Sequence, residues 1–557
     1  SFSYEKSQLE RMQIRELRIL DQFVHDLISV MQEEEQAQLW IFSPQSHKEA
    51  YRNKLYVTPL IRFSHDREIF RIVEPRSQNI VEIVEHFNHQ SGLLTSSTTR
   101  RTGLVSLHDI APSLLTSMGI EIPEDWTGRP MQAEPHNESL KWLLQDVNKM
   151  QNVYKLRTSM VILFVMYEVI VLLISLLMVL LGWRKALRWM RIPLFTLLAA
   201  PLFILLLGLI PDYESIVQMF VLIGLVLGVS VFLVSLFSVI TGIIVISALT
   251  SLALLIDGLN GAGLLKYSIM GYDPMIGARY YGIGNEYMGV LVGSAILTVS
   301  LVAERLAARR RMLQQHWQTS DTEDTDRIHS LPPRTARSKR FTLWDRRWFL
   351  ALAAGIWYIV IILYMAVPNG GTNAGGALTA TAAFGLSWLL MFGRQTLRKI
   401  KLTQFILTVA VLLCGGLLLL WITNQWLLHS DPSAKSHIGR AMDLLVSGRI
   451  DLIVGMMVRK LQMNIHLIGV SSWGKVLLTG ILVLAVLLFR PRGLLKEWQS
   501  DRPYWMSGFM AILTGSIVAL VLNDSGIVAA GTMIIYAAVP ILLLLIEENQ
   551  LGRTRPQ

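Results

Sequence analysis

Eleven apolar runs, each about 20 residues long, fix what this chain can fold into. They lie at 158–182, 192–210, 215–235, 239–256, 286–303, 348–367, 373–393, 402–422, 473–489, 504–522 and 527–546. In lipid, a segment of this kind satisfies its backbone polar groups only as a helix. The expected fold class is an α-helical polytopic membrane bundle of about 11 transmembrane helices over residues 151–557, preceded by a smaller polar domain. Only 17% of the 557 residues are charged, which is low for a water-soluble chain of this size.

Lys and Arg in the connections set an orientation. Alternate connections (184–191, 304–347, 394–401, 489–502 and the tail from 552) hold 25 of them, and those on the opposite side hold 10, Lys155 and Arg157 included. The basic side is expected to be cytoplasmic. That makes the chain a multi-pass plasma-membrane protein with residues 1–157 extracytoplasmic and its C-terminus cytoplasmic. Topology thus accounts for the net charge of +10; the expected partner is the lipid bilayer, with no nucleic acid. The single cysteine, Cys414, lies inside an apolar run and excludes an internal disulfide. The chain opens on Ser1 with no signal peptide ahead of the polar segment, so a further N-terminal portion is expected.

Two connections carry patterns of their own. Residues 304–347 contain acidic DTEDTD and basic RTARSKR and read as a disordered cytoplasmic linker. Residues 430–470 are amphipathic, with Arg440, Asp443, Ser447 and Asp451 on one helical face and Arg459, Gln462 and His466 on another. Such a segment lies in the outer interface or dips into the bundle.

Residues 1–150 read as an α/β domain. Leu17, Leu20, Val24, Leu27, Ile28 and Met31 share one helical face. AQLWIFS, LYVTPLIRF and GLVSL read as strands, and HDIAPSLLTSMGI as a helix with Asp109 as N-cap, Pro112 in its first turn and Gly119 as its stop. The run TRRTGLVSLHDIAPSLLTSMGIEIPEDWTGRPM resembles the closing segment of the alkaline phosphatase superfamily. Asp109-Ile110-Ala111-Pro112-Ser113, Gly119-Ile120 with Pro123, and Gly128-Arg129-Pro130-Met131 follow that segment's order. The resemblance extends over residues 10–135 and implies a partial α/β domain of that superfamily. Members that hydrolyse phosphate or sulfate esters carry an Asp-His metal pair after an early strand and a further His before the closing helix. Here those positions read Ser43-Pro44-Gln45-Ser46-His47 and, from Leu94 to Arg101, no histidine at all. His47 and His65 remain as scattered imidazoles. The resemblance therefore implies a degenerate, pseudoenzyme-like domain without its nucleophile, in which Arg100 and Arg101 could hold an anion. No metal and no cofactor are expected.

The polar motifs of the membrane part fall on one side of the orientation above. RYYGIGNEYMG (279–289), PNGGTNAGGA (368–377) and NDSG (523–526) each stand at the mouth of a span. Glycine lets a backbone approach a ligand, and a helix start offers free amides and a partial positive charge to an anion. The expected substrate-binding residues are Arg279, Asn285, Glu286, Asn369, Asn373, Arg440, Asn523 and Asp524. Glu286, Asp524 and Asp451 are the candidates for acid–base chemistry. Arg279 and Arg440 are the expected partners of the carboxylates. SGRIDL also resembles, over a few letters, membrane polymerases and ligases that handle lipid-linked glycans. Three functions fit: a cell-envelope protein that binds or moves an anionic or lipid-linked substrate in an outward-facing polar cavity, an envelope phosphoryl or glycosyl transferase or hydrolase, or a non-enzymatic scaffold.

Overall fold

The computed structural model describes residues 2–31, 37–64, 92–123, 126–209, 215–276, 280–324, 337–367, 370–393, 401–430, 448–489 and 494–550. The chain divides into two compact units, Ser1–Gln151 with Met275–Ala278, and Asn152–Pro274 with Arg279–Gln557.

In the first unit, α1 (Phe2–Met31) carries the expected apolar stripe, yet Leu17 and Leu20 are 62% and 53% exposed. β1 (Gln38–Phe42) pairs antiparallel with β2 (Leu60–Ser64), and the Arg62 guanidinium lies 5.0 Å above the ring of Trp40 opposite it. Between them, His47 caps the short α2 (Lys48–Arg52), its Nδ1 accepting from the Glu49 amide at 3.3 Å. His65 lies outside the described residues. β3 (Gly92–Ser96) pairs antiparallel with β4 (Met131–Pro135). Among the described residues the strands form these two small sheets and no layered α/β arrangement. The strand expected at GLVSL is only a single bridge between Arg101 and Leu104. Gly103 adopts φ +78 there, and Ser106 turns to cap a 3-10 turn, so the segment cannot stay extended.

α3 (Ile110–Ser117) forms as expected, with Gly119 at φ +70 just beyond it. Asp109 occupies the N-cap position, but its carboxylate makes no cap bond to that helix. Fully buried, it accepts instead from Ser96 Oγ at 2.6 Å, Thr98 Oγ1 at 2.5 Å, the Ser106 amide at 2.9 Å and the Arg129 amide at 2.9 Å. One carboxylate thereby ties β3, the following turn and the Gly128-Arg129-Pro130 corner together. Arg101 donates from Nη2 to both carboxylate oxygens of Asp146, each at 3.0 Å, with both side chains buried. That guanidinium is engaged internally.

The second unit is helical. α4 (Ser139–Leu181) leads into it, followed by α5 (Arg191–Leu206), α6 (Ser215–Leu236), α7 (Val239–Leu259), α8 (Asn285–Asp324), α9 (Arg337–Ala366), α10 (Ala374–Phe392), α11 (Leu402–Ser430), α12 (Ile450–Val470), α13 (Ser472–Leu488), α14 (Leu494–Asp501), α15 (Pro503–Leu522) and α16 (Gly526–Gln550). Among the described residues, ten helices are long and apolar enough to cross a membrane, and α12 with α13, bent by 87° at Ser471, can make an eleventh. This is the architecture of a multi-pass helical membrane protein.

α16 is the axis of the bundle: its apolar stretch is wholly buried, and it packs against α8, α13 and α15. The approach of α8 is close because Gly289 and Gly293 stand four residues apart on the facing side. A Cβ on Gly289 would fall 2.3 Å from the Ala529 carbonyl, and one on Gly293 would fall 2.8 Å from the Tyr536 ring. Small residues at this spacing let two helix backbones meet. α8 also continues to Asp324, well beyond its apolar part, and α9 begins at Arg337, so helix enters residues 304–347 from both sides. The sequence ERLAARRRMLQQ is made of strong helix formers, which explains why polarity alone does not end α8. Residues 325–336 and 431–447 lie outside the described residues.

Candidate functional site

Three helices of the bundle, α8, α10 and α16, begin at the same end, and their first residues are tied together by carboxamides. The link between α8 and α10 starts in the backbone: Ile283 N donates to the Gly371 carbonyl at 2.8 Å. The preceding Gly282 adopts φ +80, and a Cβ there would lie 2.2 Å from that same carbonyl, so only glycine fits. Asn373 then serves both helices. Its Oδ1 accepts from the Gly376 amide at 2.8 Å and caps α10, while its Nδ2 donates to the Ile283 carbonyl at 3.1 Å and to Asn285 Oδ1 at 3.4 Å.

The turn between α15 and α16 joins the same junction. Asn523 Nδ2 donates to Thr379 Oγ1 on α10 at 3.2 Å. Gly375 stands so close that its Cβ would lie 2.3 Å from Asn523 Oδ1. From α12, Asn464 Nδ2 donates to the Leu520 and Asn523 carbonyls at 3.0 and 2.9 Å, and its Oδ1 accepts from the Ile527 amide at 3.3 Å. Helix ends leave such groups unsatisfied. One side chain of α12 thus caps the C-terminus of α15 and the N-terminus of α16 together.

Two ion pairs border this junction. Glu286, in the first turn of α8, accepts from Arg157 of α4 at 3.0 Å, with side chains 16% and 19% exposed. Asp524 pairs with Lys460 of α12 at 3.1 Å and is 77% exposed; Lys460 also donates to the Leu522 carbonyl at 3.3 Å. Of the residues singled out from sequence, Asn285, Glu286, Asn373, Asn523 and Asp524 therefore gather at one end of the bundle. Asp451 pairs instead with Arg449 at 3.9 Å, at the exposed start of α12. Arg279, Asn369 and Arg440 lie outside the described residues.

Sequence reasoning missed Arg157, Lys460, Asn464 and Thr379. Arg157 had counted only as a topological charge. Lys460 and Asn464 stand at i and i+4 on the segment whose amphipathic face was drawn through Arg459, Gln462 and His466, one position away. Among the described residues no group of three His, Cys, Asp or Glu side chains could hold a metal ion.

The opposite end of the bundle is built differently. The carboxylate of Glu304 on α8 accepts from the Tyr504 and Trp505 amides of the first turn of α15, at 2.9 and 3.3 Å, and from Arg311 at 2.6 Å. Glu548 accepts from Trp498 Nε1 at 2.9 Å and pairs with Arg502 at 3.1 Å. Glu304 is thus occupied in capping the start of α15, and Glu548 in binding the side chains of Trp498 and Arg502.

The Asn285 end thus gathers three helix N-termini, two cations and the two carboxylates paired to them. No protein-family model matches the chain, and neither a curated protein nor a solved structure is found similar to it.

Proposed function

We propose that the chain binds and moves an anionic group, free or carried on a lipid, at the end of the bundle where α8, α10 and α16 begin. The observation that carries this reading is the junction itself: distant turns meet through Asn373 and Asn285, and through Asn523 and Thr379. Helix N-termini grouped around a polar point favour an anion. Arg157 and Lys460 add two cations, and Glu286 and Asp524 occupy them as exchangeable internal anions. The helix broken at Ser471 next to this end is a further feature expected of transporters.

The unequal Lys and Arg content supports placing this end outside the cytoplasm, with residues 1–157 on the same side. In this reading those residues form a degenerate, non-catalytic relative of the phosphatase superfamily in the cell envelope. The Asp109 node, which holds the closing motif together, supports that resemblance; the two small sheets offer it no further support. A transferase reading draws on Glu286 as acid or base. The engagement of that carboxylate by Arg157 favours binding over acid–base chemistry.

The test uses the full chain in vesicles containing a fluorescent polyprenyl phosphate, with inorganic phosphate as the competing probe. Lipid phosphate should cross the bilayer in a protein-dependent manner, slowed about tenfold in Lys460→Gln, the loss of about 1.4 kcal/mol of anion binding. Absence of movement and of phosphate competition, or equal rates in the variant, overturns the reading. In a Cys414→Ser background, Asp524→Cys and Asn260→Cys should react with an impermeant thiol reagent from outside, and Trp189→Cys only after permeabilisation.

A further inference from the structure

A helix inside lipid carries a carboxyl at its centre at a cost that demands a reason. Glu168 is such a group. It follows Arg157 on α4 by eleven residues (157 to 168), about 16 Å along the helix, and is only 2% exposed. Its Oε2 is buried with no hydrogen-bond partner among the described protein groups, and the same is true of the Tyr536 hydroxyl on α16. Tyr536 is 1% exposed and lies within electrostatic range of the Glu168 carboxyl.

Three helices give this pair the same depth. Tyr536 is ten residues past Gly526, where α16 starts, and eleven before Glu547 (526, 536, 547). The ring of Tyr536 packs on Gly293, which lies seven residues after Glu286 and eleven before Glu304 on α8 (286, 293, 304). The pair thus stands about 10–16 Å from the charged groups at each end. Ser175, seven residues past Glu168 on the same face of α4, has a buried hydroxyl likewise without a partner.

Among the described residues no cation offsets the carboxyl. α4 meets α5 where Tyr167 bonds Thr196 at 2.5 Å, and it meets α13 where Phe164 faces Trp473. The ionisable residue of α5 is Arg191, at its start; that of α13 is Lys475, in its first turn and exposed; that of α7 is Asp257, in its last turn. α16 supplies Tyr536 and, near its far end, Glu547 and Glu548; α8 supplies Glu286, Tyr287 and, from Glu304 onward, its far end. Tyr167 on α4 itself is bonded to Thr196, Tyr287 to Ser268, and Arg157 to Glu286. A carboxylate ion here would be an unpaired charge in an apolar interior.

We infer that Glu168 and Tyr536 form a proton-binding site at the centre of the bundle. The two groups do not bond each other in this structure; turned together, the phenol would suit both states, its oxygen accepting from the acid and its O–H donating to the carboxylate once the proton has left. The proton arrives from water and returns to it, and no other atom is transferred. The site stands independently of what the Asn285 end binds.

The test is infrared difference spectroscopy on the full chain in lipid nanodiscs between about pH 5 and about pH 10. A carboxylic-acid carbonyl band should disappear with rising pH, be lost in Glu168→Gln, persist in Glu168→Asp and shift in frequency in Tyr536→Phe, while Glu286→Gln leaves it in place. Glu168→Asp and Tyr536→Phe carry the test if Glu168→Gln does not fold. The inference fails if the band survives Glu168→Gln, if it is unchanged across the pH range, as for a fixed structural hydrogen, or if Tyr536→Phe leaves its frequency untouched. A sodium-dependent loss of the band at constant pH would identify a metal-cation site and also overturn it.

Discussion

Replacing Asn464 by leucine keeps the side chain's volume and removes three hydrogen bonds: two donated to the Leu520 and Asn523 carbonyls and one accepted from the Ile527 amide. Each such bond contributes about 1 kcal/mol net, and a buried group left without a partner costs about 1–3 kcal/mol. Asn464 is 2% exposed and Asn523 3%, so water replaces few of the lost partners. The burial of leucine returns part of the loss, which leaves a destabilisation of about 2–4 kcal/mol. Aspartate gives no rescue: it still accepts from Ile527 N but turns a carboxylate on two carbonyl oxygens. Gln462, exposed on the same helix, is the control, and its change to leucine should stay within about 0.5 kcal/mol. Unfolding by graded SDS in mixed micelles, followed by tryptophan fluorescence, measures the difference. Hydrogen exchange should accelerate at the amides around Ile527 in Asn464→Leu alone. Equal stability of Asn464→Leu and Gln462→Leu, with unchanged exchange at Ile527, would show that α12 does not hold the α15–α16 turn.

A double-mutant cycle on Arg157→Gln and Glu286→Gln should give a coupling of about 1–3 kcal/mol in the same assay, since this 3.0 Å pair is largely shielded from water; additive effects within about 0.5 kcal/mol would refute the pairing. Gly289→Val places a Cβ 2.1 Å from Thr532 Oγ1 and 2.3 Å from the Ala529 carbonyl, so it should destabilise the bundle by about 3 kcal/mol, read as a lower SDS midpoint. Asp109→Ala removes an acceptor of four hydrogen bonds in the first unit; a loss of at least about 3 kcal/mol should appear as rapid tryptic cleavage at Arg129, with the spans left intact.

The spans were legible in the sequence because lipid imposes one rule, length and apolarity, on every one of them. So was the placing of Asn285 and Asn373 at helix starts, because amides beside glycines at the mouth of an apolar run mark one. Their partners were not legible. A membrane helix is apolar around most of its surface, so its sequence does not say which helices adjoin it. Glu286 therefore suggested Arg279 or Arg440 as its cation, while the structure brings Arg157 to it from α4. In the first unit the error was local. GLVSL has strand composition, but Gly103 and the Ser106 turn divert it, and the strand is Gly92–Ser96, whose apolar residues alternate less clearly.

Polar side chains inside such a bundle divide by what they satisfy. Asn373, Asn464 and Glu304 each meet backbone groups of another helix's end, the groups that a helix cannot pair within itself, while Asn523 meets the Thr379 hydroxyl of α10 and the Ala519 carbonyl at the end of its own helix. Their removal should cost stability first, whatever else the chain does. Arg157 with Glu286 and Lys460 with Asp524 are charges paired to charges, Lys460 also meeting the Leu522 carbonyl at the end of α15. Glu168 satisfies neither condition, because it caps nothing and pairs with no cation. A group that folding does not need, kept at the depth where it is least welcome, is the one whose replacement should separate function from stability. Glu168→Gln, which removes the exchangeable acid proton and keeps the shape, should therefore leave the SDS midpoint within about 0.5 kcal/mol of the wild type while abolishing the protonation change. A large loss of stability in that variant would return Glu168 to the structural class.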